Sequence, residues 1–579
     1  MELDLRYQAN LSHEFIDLFN EVSWSARTEY NQFITTASKP FKDEIDWWVE
    51  SPASRNTYAS SLFHYFCVAK FILKMIDNEY FNPVNAEKII IVDSWALKGI
   101  IEEIFNNSNI SNVIVDFRPK FNIRIKRLLR KYFYYELVFV KRLLQYCIAR
   151  LSKKLEITQK LSNTIVLIDT FVSKPYLNHD RWYGSLWDHL DESQKSNVFF
   201  APTIVNTSIK DFLLVYRSLR NSSRNNFIKD DFISIGDLVF AYTHKKRVKN
   251  LQIKQISLNG VDTSSLIIED IEYFRDISSL IEALLTYRFI AGLADANIKI
   301  RLSIDWFEGH ALDKAWNLGI KRFHEHTERM GYRAFFKSYP QYLCTYPIQI
   351  ERDVGVLPDI FAVQGKDSIE DVKEFLPDLN VITIPAFKAE HVWEQDIEQS
   401  LSEMKQILVT LPVSIATSVM IVDTLINVYL NKKYDDSALI YVLKPHPTNR
   451  IKDITRRLKT SLPDAFIFTH QKSFPDLLRK SSILITEASS TCVEALACGV
   501  SVIIIENPHG ITYDPLPENI PQELFRKTKT LDEINNAMFS FLNESESLKE
   551  RKRLLSKQVR EGYFEPVTKD GIVNFLRMN

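Results

Sequence analysis

Between residues 400 and 505 the chain alternates short, unbroken apolar runs with helix-length segments, an order that few folds accommodate. Ile407–Leu411, Leu439–Leu443, Ala465–Phe468, Ser482–Ile485 and Val500–Ile505 are five such runs. The segments between them, including Ile415–Leu430, Ile451–Ser461 and Thr491–Ala497, read as helices. A strand that is apolar on both faces has to be covered on both, which is the situation of strands in a parallel sheet with crossover helices. The pattern therefore predicts a doubly wound domain starting near residue 400.

A less regular series precedes it. Lys88–Asp93, Val113–Asp116, Thr164–Asp169, Val198–Phe200 and Val239–Ala241 read as strands, with a helix over Ala96–Phe105. Residues 1–80 are aromatic-rich, nearly free of glycine and read as helical, with Ser12 as an N-cap. Glu544–Gln558 and Ile572–Met578 read as further helices. The expected fold class is α/β: two Rossmann-like domains facing a cleft, with an N-terminal helical extension. The expected divisions are 1–80 for the extension, 81–395 for the first Rossmann-like domain, 396–545 for the second and 546–579 for a helical tail.

Composition excludes several alternatives. With 45% hydrophobic and 25% charged residues the chain has the makings of large cores, and a formal net charge of −1 gives no global basis for binding a polyanion. Only 14 glycines are present, and neither G-x-G-x-x-G nor G-x-x-x-x-G-K-[ST] occurs, so the usual phosphate cradles of dehydrogenases and P-loop proteins are missing. Five scattered cysteines without a C-x-x-C pair argue against structural zinc and a disulfide framework, and fit a reducing cytoplasm. No signal peptide and no membrane span are expected.

Two segments concentrate the chemistry. Lys444-Pro445-His446-Pro447 follows a strand, where open α/β sheets bind ligands, and its prolines stiffen the loop that presents a cation and an imidazole. Such a pair suits a phosphate, although a strand-to-helix turn with a surface histidine would look the same. Ser489-Ser490-Thr491 follows the next-but-one strand and opens a helix that ends before Gly499. One hydroxyl suffices for a cap, so three leave donors to spare.

Together these segments resemble the donor half of GT-B glycosyltransferases of bacterial surface-carbohydrate biosynthesis, nearest to those using CMP-activated sialic acid, Kdo or related nonulosonic acids. The resemblance implies that His446, Ser489, Ser490 and Thr491 contact the donor phosphate, with Lys444 and Pro447 beside them. It also implies Ser414 and His470 as further donor-side contacts, with Pro412 and Ser414 standing where such enzymes often have a glycine-rich turn. On the acceptor side, Phe307-Glu308-Gly309 resembles the acidic-acidic-Gly motif of bacterial sialyltransferases, with Phe307 in place of the first acid. Glu308 is nominated as general base, with Asp305 and His310 in reserve; a Glu that only orients the acceptor is the alternative. His179, Asp180, Arg181 and Trp182 form a polar-aromatic loop suited to an acceptor sugar, or to a turn with buried aromatics.

The implied activity is metal-independent, inverting transfer of a nonulosonic acid from its CMP donor to a glycan or lipid-linked glycan, with no cofactor beyond that substrate. A UDP-sugar, GDP-sugar or CDP-glycerol transferase and a non-catalytic scaffold are the alternatives. His324-Glu325-His326 on an expected helix diverge too far to hold a metal, and no D-x-D occurs. Residues 120–154 carry eleven Lys/Arg against one acid, Glu136, with apolar residues interleaved. That reads either as a membrane-surface element on the inner face of the cytoplasmic membrane or as a helix with a solvated basic face. No nucleic-acid recognition module is present.

Overall fold

The computed structural model describes residues 2–578 apart from 8, 10, 58, 82–87, 120–132, 153–163, 178–179, 274–275, 337–341, 395–405, 432–438, 488 and 508–513. Seventeen strands are found among the described residues. They are β1 (Glu2–Asp4), β2 (Lys88–Val92), β3 (Val113–Phe117), β4 (Ile165–Val172), β5 (Val198–Ile204), β6 (Ser257–Leu258), β7 (Val261–Asp262), β8 (Ile300–Trp306) and β9 (Glu328–Arg333). The remainder are β10 (Ile360–Val363), β11 (Val381–Thr383), β12 (Gln406–Thr410), β13 (Ile440–Lys444), β14 (Phe466–Phe468), β15 (Ile483–Thr486), β16 (Ser501–Ile505) and β17 (Phe525–Thr528).

Two six-stranded sheets, parallel throughout, dominate. One has the order β14-β13-β12-β15-β16-β17 and the other β11-β10-β9-β8-β4-β5. In the first, the central runs Ile407–Val409, Ile483–Ile485 and Val502–Ile504 are essentially solvent-free, packed on one face by helix Ile415–Leu430 and on the other by helix Thr491–Ala497. The chain is thus an α/β protein of the GT-B type, with two Rossmann-like units.

The course of the N-terminal part departs from expectation. Lys88–Val92 and Val113–Phe117 do not join the large sheet; they form a separate three-stranded parallel sheet with Glu2–Asp4. The division at residue 80 therefore runs through this unit, whose core joins helices His13–Ser38, Leu62–Asp77 and Trp95–Asn107. Val239–Ala241 is not a strand. It lies inside helix Ile235–Val248, started by a capping box between Ser234 and Asp237. Three strands of the large sheet, β9 to β11, fall outside the expected series: β9, Glu328-Arg329-Met330-Gly331-Tyr332-Arg333, carries no apolar run, and the runs of β10 and β11 are only four and three residues long. Helix Ala311–Phe323 ends before His324, so His324, Glu325 and His326 lie beyond its last turn. The C-terminal tail is split between the domains. Helix Glu546–Tyr563 packs on the C-terminal of the two domains, whereas Ile572 and Phe575 of helix Lys569–Phe575 enter the core of the N-terminal one beside Val166 and Trp306. Its return path runs alongside the first crossing, with the Ala386 N–H donating to the Glu565 carbonyl at 2.9 Å.

Among the described residues one helix, Ile277–Asp295, is long and apolar enough to cross a membrane, and most of it is buried inside the protein.

Candidate functional site

Both sheets have one place where strand order reverses: between β12 and β15 in one, between β4 and β8 in the other. Loops leaving the carboxyl ends of such strands diverge and open a crevice. Here the loops from both sheets border a single cleft of about 1830 Å³ between the domains. Its wall includes Ser414 after β12, Lys444 to Pro447 after β13, His470 after β14, Glu487 and Ser489 to Thr491 after β15, Asp180 and Arg181 after β4, and His310 after β8.

On the donor side, Lys444 Nζ donates to the Lys472 carbonyl at 2.7 Å. His446 Nδ1 accepts from the Thr448 N–H at 3.3 Å and lies 2.7 Å from Thr448 Oγ1. That leaves the ring proton on Nε2, a neutral donor. Burial, reinforced by the charge of Arg181, pushes His446 down to about 4, and the same two causes lower Lys444. Ser414 is engaged as the N-cap of helix Ile415–Leu430, accepting from the Thr417 N–H at 3.2 Å. Ser489 Oγ lies 2.7 Å from Thr491 Oγ1, whereas Ser490 stands at the N-cap of a seven-residue helix without a side-chain cap hydrogen bond. Glu487, only 4% exposed, lies on the same wall; burial pushes its carboxyl up to about 8. At neutral pH it therefore holds a proton and offers a donor, not a charge that would repel a phosphate.

Arg181 is the residue whose expected place changes most. The sequence puts it with an acceptor; in the structure it stands across from the donor loops. Its own loop is firmly built. Asp180 Oδ1 accepts from the N–H groups of Trp182 and Tyr183 at 2.7 and 3.0 Å, and Asp180 Oδ2 pairs with Arg224 at 2.5 Å. Ser185 donates both N–H and hydroxyl to Glu390 at 2.9 and 2.8 Å. Between them Gly184 has φ +47°, and a Cβ there would collide with Glu390 and the Phe387 carbonyl. The Arg181 guanidinium lies 5.4 and 5.2 Å from the rings of Tyr176 and Trp182. Asp180 and Trp182 thus support the loop: Trp182 donates its indole N–H to the Phe171 carbonyl at 2.9 Å and packs edge-on against Trp306. His179 lies outside the described residues.

The segment joining the domains adds residues that no sequence signal marked. Lys388 lines the cleft and is lowered by burial, opposed by Glu494 and reinforced by Arg181. His391 Nε2 lies 3.2 Å from Glu494 Oε2, tying the joining segment to the helix that follows Ser490. Arg181, Lys388, Lys444 and the His446 donor thus converge from three parts of the chain. A cluster of donors and cations that depress one another is relieved by an anion.

On the acceptor side, β8 ends at Trp306, whose indole N–H donates to Glu308 Oε1 at 2.8 Å. The second oxygen lies 3.5 Å from His310 Nε2, which in turn is 2.6 Å from the Tyr342 hydroxyl. Asp313 Oδ2 accepts from the N–H groups of both Glu308 and His310 at 2.9 Å, clamping the loop. Gly309, at φ +73°, faces the Cys344 carbonyl so closely that any Cβ would overlap it. Glu308 is 36% exposed and does not itself line the cleft; it stands 3.5 Å from His310, which does, and its charge is felt by Lys388.

Asp305 has to be withdrawn as a reserve base. It is 1% exposed behind the sheet, where it accepts from Asn317 at 3.1 Å. Burial and the nearby Asp313 carboxyl hold it well above the usual carboxylate range, and burial pushes Asp313 up to about 8. Two carboxyls in one dry site resist ionising together. Because these folded values exceed the unfolded ones, the pair stabilises the fold most at low pH. That contribution is lost as pH rises towards 8. Asp305→Asn, which keeps the Asn317 bond and removes one ionisation, is expected to be more stable than the parent chain at pH 8 and to narrow the gap at pH 5. Urea unfolding at the two pH values measures it; lower stability at pH 8 would show that an ionised Asp305 is required.

Among the described residues no group of three or more His, Cys, Asp or Glu is placed to hold a metal ion. No protein-family model matches the chain, and no curated protein does. Similar solved structures include UDP-GlcNAc 2-epimerase from Neisseria meningitidis bound to UDP-GlcNAc, at 15% identity over 72% of this chain and 100% of that one, TM-score 0.43. An α,α-trehalose 6-phosphate synthase from Burkholderia multivorans matches at 9% identity over 72% and 96%, TM-score 0.42. The wall teichoic acid polymerase TagF matches at 10% identity over 77% and 96%, TM-score 0.37.

Proposed function

We propose that this protein is a glycosyltransferase whose donor is a sugar activated by a nucleotide, held by the C-terminal domain. The observation that carries the reading is the convergence of Arg181, Lys388, Lys444 and His446 with the hydroxyls of Ser489 to Thr491 on one interdomain cleft. In the step envisaged, an acceptor hydroxyl attacks the anomeric carbon and gives its proton to Glu308. The carbon–oxygen bond to phosphate breaks, its electron pair stays on the phosphate oxygen, and the cations and the Nε2–H of His446 neutralise that charge. One base and one displacement imply inversion. Positioning two substrates across the cleft supplies much of the remaining acceleration.

The donor we favour is a CMP-activated nonulosonic acid, on the strength of the K-P-H-P and S-S-T segments, and the acceptor a glycan or lipid-linked glycan of a surface polysaccharide assembled on the cytoplasmic side. Calorimetry with CMP, UDP, GDP and CDP tests the donor directly. CMP is expected to bind at least about tenfold more tightly than UDP or GDP, a difference of about 1.4 kcal/mol, and His446→Ala to weaken it. Tightest binding of UDP or GDP would overturn the nucleotide assignment. Failure of every nucleotide would overturn the donor site itself.

A further inference from the structure

Helix Tyr135–Leu151 carries its apolar residues on the wrong side for a core helix. Leu137, Val140, Leu144, Cys147 and Leu151 recur at alternating spacings of three and four, so they share one stripe along the helix. That stripe faces outward: Leu137 is 65% exposed, Val140 52% and Leu151 84%. The inward face packs Ala149 and Ile148 on a small core and is anchored by polar groups besides, with Arg142 paired to Asp230 at 2.7 Å and to Glu282 at 2.6 Å and Gln145 donating to the Tyr216 hydroxyl at 3.1 Å. A helix held in this way has its orientation fixed, and its apolar stripe is not an accident of fraying.

Helix Ile235–Val248 and the residues just before it are tied to helix Tyr135–Leu151 by side chains. The Tyr135 hydroxyl reaches the carbonyls of Ala241 and Tyr242 at 3.1 and 2.9 Å, and at the other end Arg150 donates to the Ile233 carbonyl at 2.7 Å. Phe139 and Tyr242 close the seam with ring centroids 4.4 Å apart. This second helix also exposes an apolar row, Ile235, Val239 and Tyr242. The combined surface is edged by exposed Lys141, Lys245, Lys246 and Lys249. Its one exposed acid on the first helix, Glu136, already accepts from the Tyr242 hydroxyl at 2.8 Å.

We propose that the paired outer faces of helices Tyr135–Leu151 and Ile235–Val248 seat the protein on an anionic lipid surface. Charge decides between occupants. A second copy docked through this face would set Lys141, Lys245, Lys246 and Lys249 against the same lysines of the other copy, so self-pairing would gather like charges. A leaflet with acidic headgroups receives both halves of the surface: the apolar stripe enters the boundary between headgroups and acyl chains, while the lysines stay at headgroup level. The inference stands independently of the chemistry proposed for the cleft.

The test is sedimentation of the full-length protein with phosphatidylcholine vesicles, with and without phosphatidylglycerol. The parent chain is expected to sediment with the mixed vesicles, weakly or not at all with phosphatidylcholine alone, and less as salt is raised. Leu137→Glu combined with Leu144→Glu is expected to lower that binding at least about tenfold, while Tm and nucleotide affinity in the same preparation stay unchanged. Absence of binding by the parent chain, equal binding to neutral vesicles, or equal binding by the variant overturns the proposal. A solution mass of two chains that falls to one in the variant also overturns it, by assigning the face to a second copy.

Discussion

Arg181→Ala is expected to slow transfer by about 10²–10³-fold, the range measured when one donor to a developing oxyanion is removed. Three basic groups feel its charge. His446, Lys444 and Lys388 are all depressed, and Arg181 contributes to each depression. A guanidinium that close to three other donors, held by aromatic rings and by a loop braced on Asp180 and Glu390, is tolerable in the free protein only at an electrostatic cost. An arriving phosphate relieves that cost, and the charge that grows on it as the sugar leaves is met most strongly by the group that was already fixed. Arg181 also belongs to the acceptor-side domain, so its contact forms fully only with the two domains facing each other. Donor affinity is therefore expected to fall less than turnover, about tenfold, because ground-state phosphate retains the donor-domain contacts. Removing the guanidinium should also let the His446 ring titrate at higher pH than about 4, observable by NMR in the absence of any ligand. Arg181→Lys should recover part of the rate, since it restores charge without the fork. Unchanged turnover with an unchanged His446 titration would remove Arg181 from the site.

That role could not have been read from the chain, and the reason is geometric. Sequence reports what lies on the same loop, and Arg181 shares its loop with Trp182 and Tyr183, which look like sugar platforms; their partners turn out to be Phe171 and Trp306. Lys388 and Glu487 were missed for a related cause. Nothing local distinguishes a buried ionisable residue from an exposed one until the domains meet over it. Local signals did carry the donor domain. Its central strands are apolar on both faces and alternate with helix-length segments, and the two features together point to parallel pairing. The edge strand Phe525-Arg526-Lys527-Thr528 has half-exposed, charged positions and escaped notice. Val239-Phe240-Ala241 reads as a strand because three apolar residues fit either period; the capping box that starts five residues earlier, Ser234–Asp237, is the cue that makes it helix. Asp305 shows the limit of motif reading. It is adjacent in sequence to the cleft loop, yet its place on the strand turns it towards Asn317 on the helix side.

Glu308→Gln is expected to reduce transfer by about 10²–10⁴-fold, the usual contribution of a positioned general base, while CMP affinity stays within about twofold. The separation of the two effects follows from the architecture. Glu308 hangs from β8, its polar partners Trp306, His310 and Asp313 all belong to the same domain, and its charge is the smallest of the four influences on Lys388, so the phosphate cluster should sense its replacement only weakly. The substitution is also conservative for the fold. Gln keeps an oxygen to accept from the Trp306 indole N–H, the Asp313 clamp acts through the backbone N–H groups of residues 308 and 310, and Gly309 still turns beneath the Cys344 carbonyl. What disappears is the ability of the second oxygen to take a proton. His310, 3.5 Å away and bonded to Tyr342, is the competing base, because an imidazole there could serve directly while Glu308 only held it. The two arrangements separate cleanly. With Glu308 as base, Glu308→Gln is the severe variant and His310→Ala the mild one; a full rate in Glu308→Gln with loss in His310→Ala transfers the role to the histidine. A full rate in both variants would take the base away from this loop altogether, whereas absence of transfer by the parent chain, with CMP still bound, would favour a scaffold over a transferase.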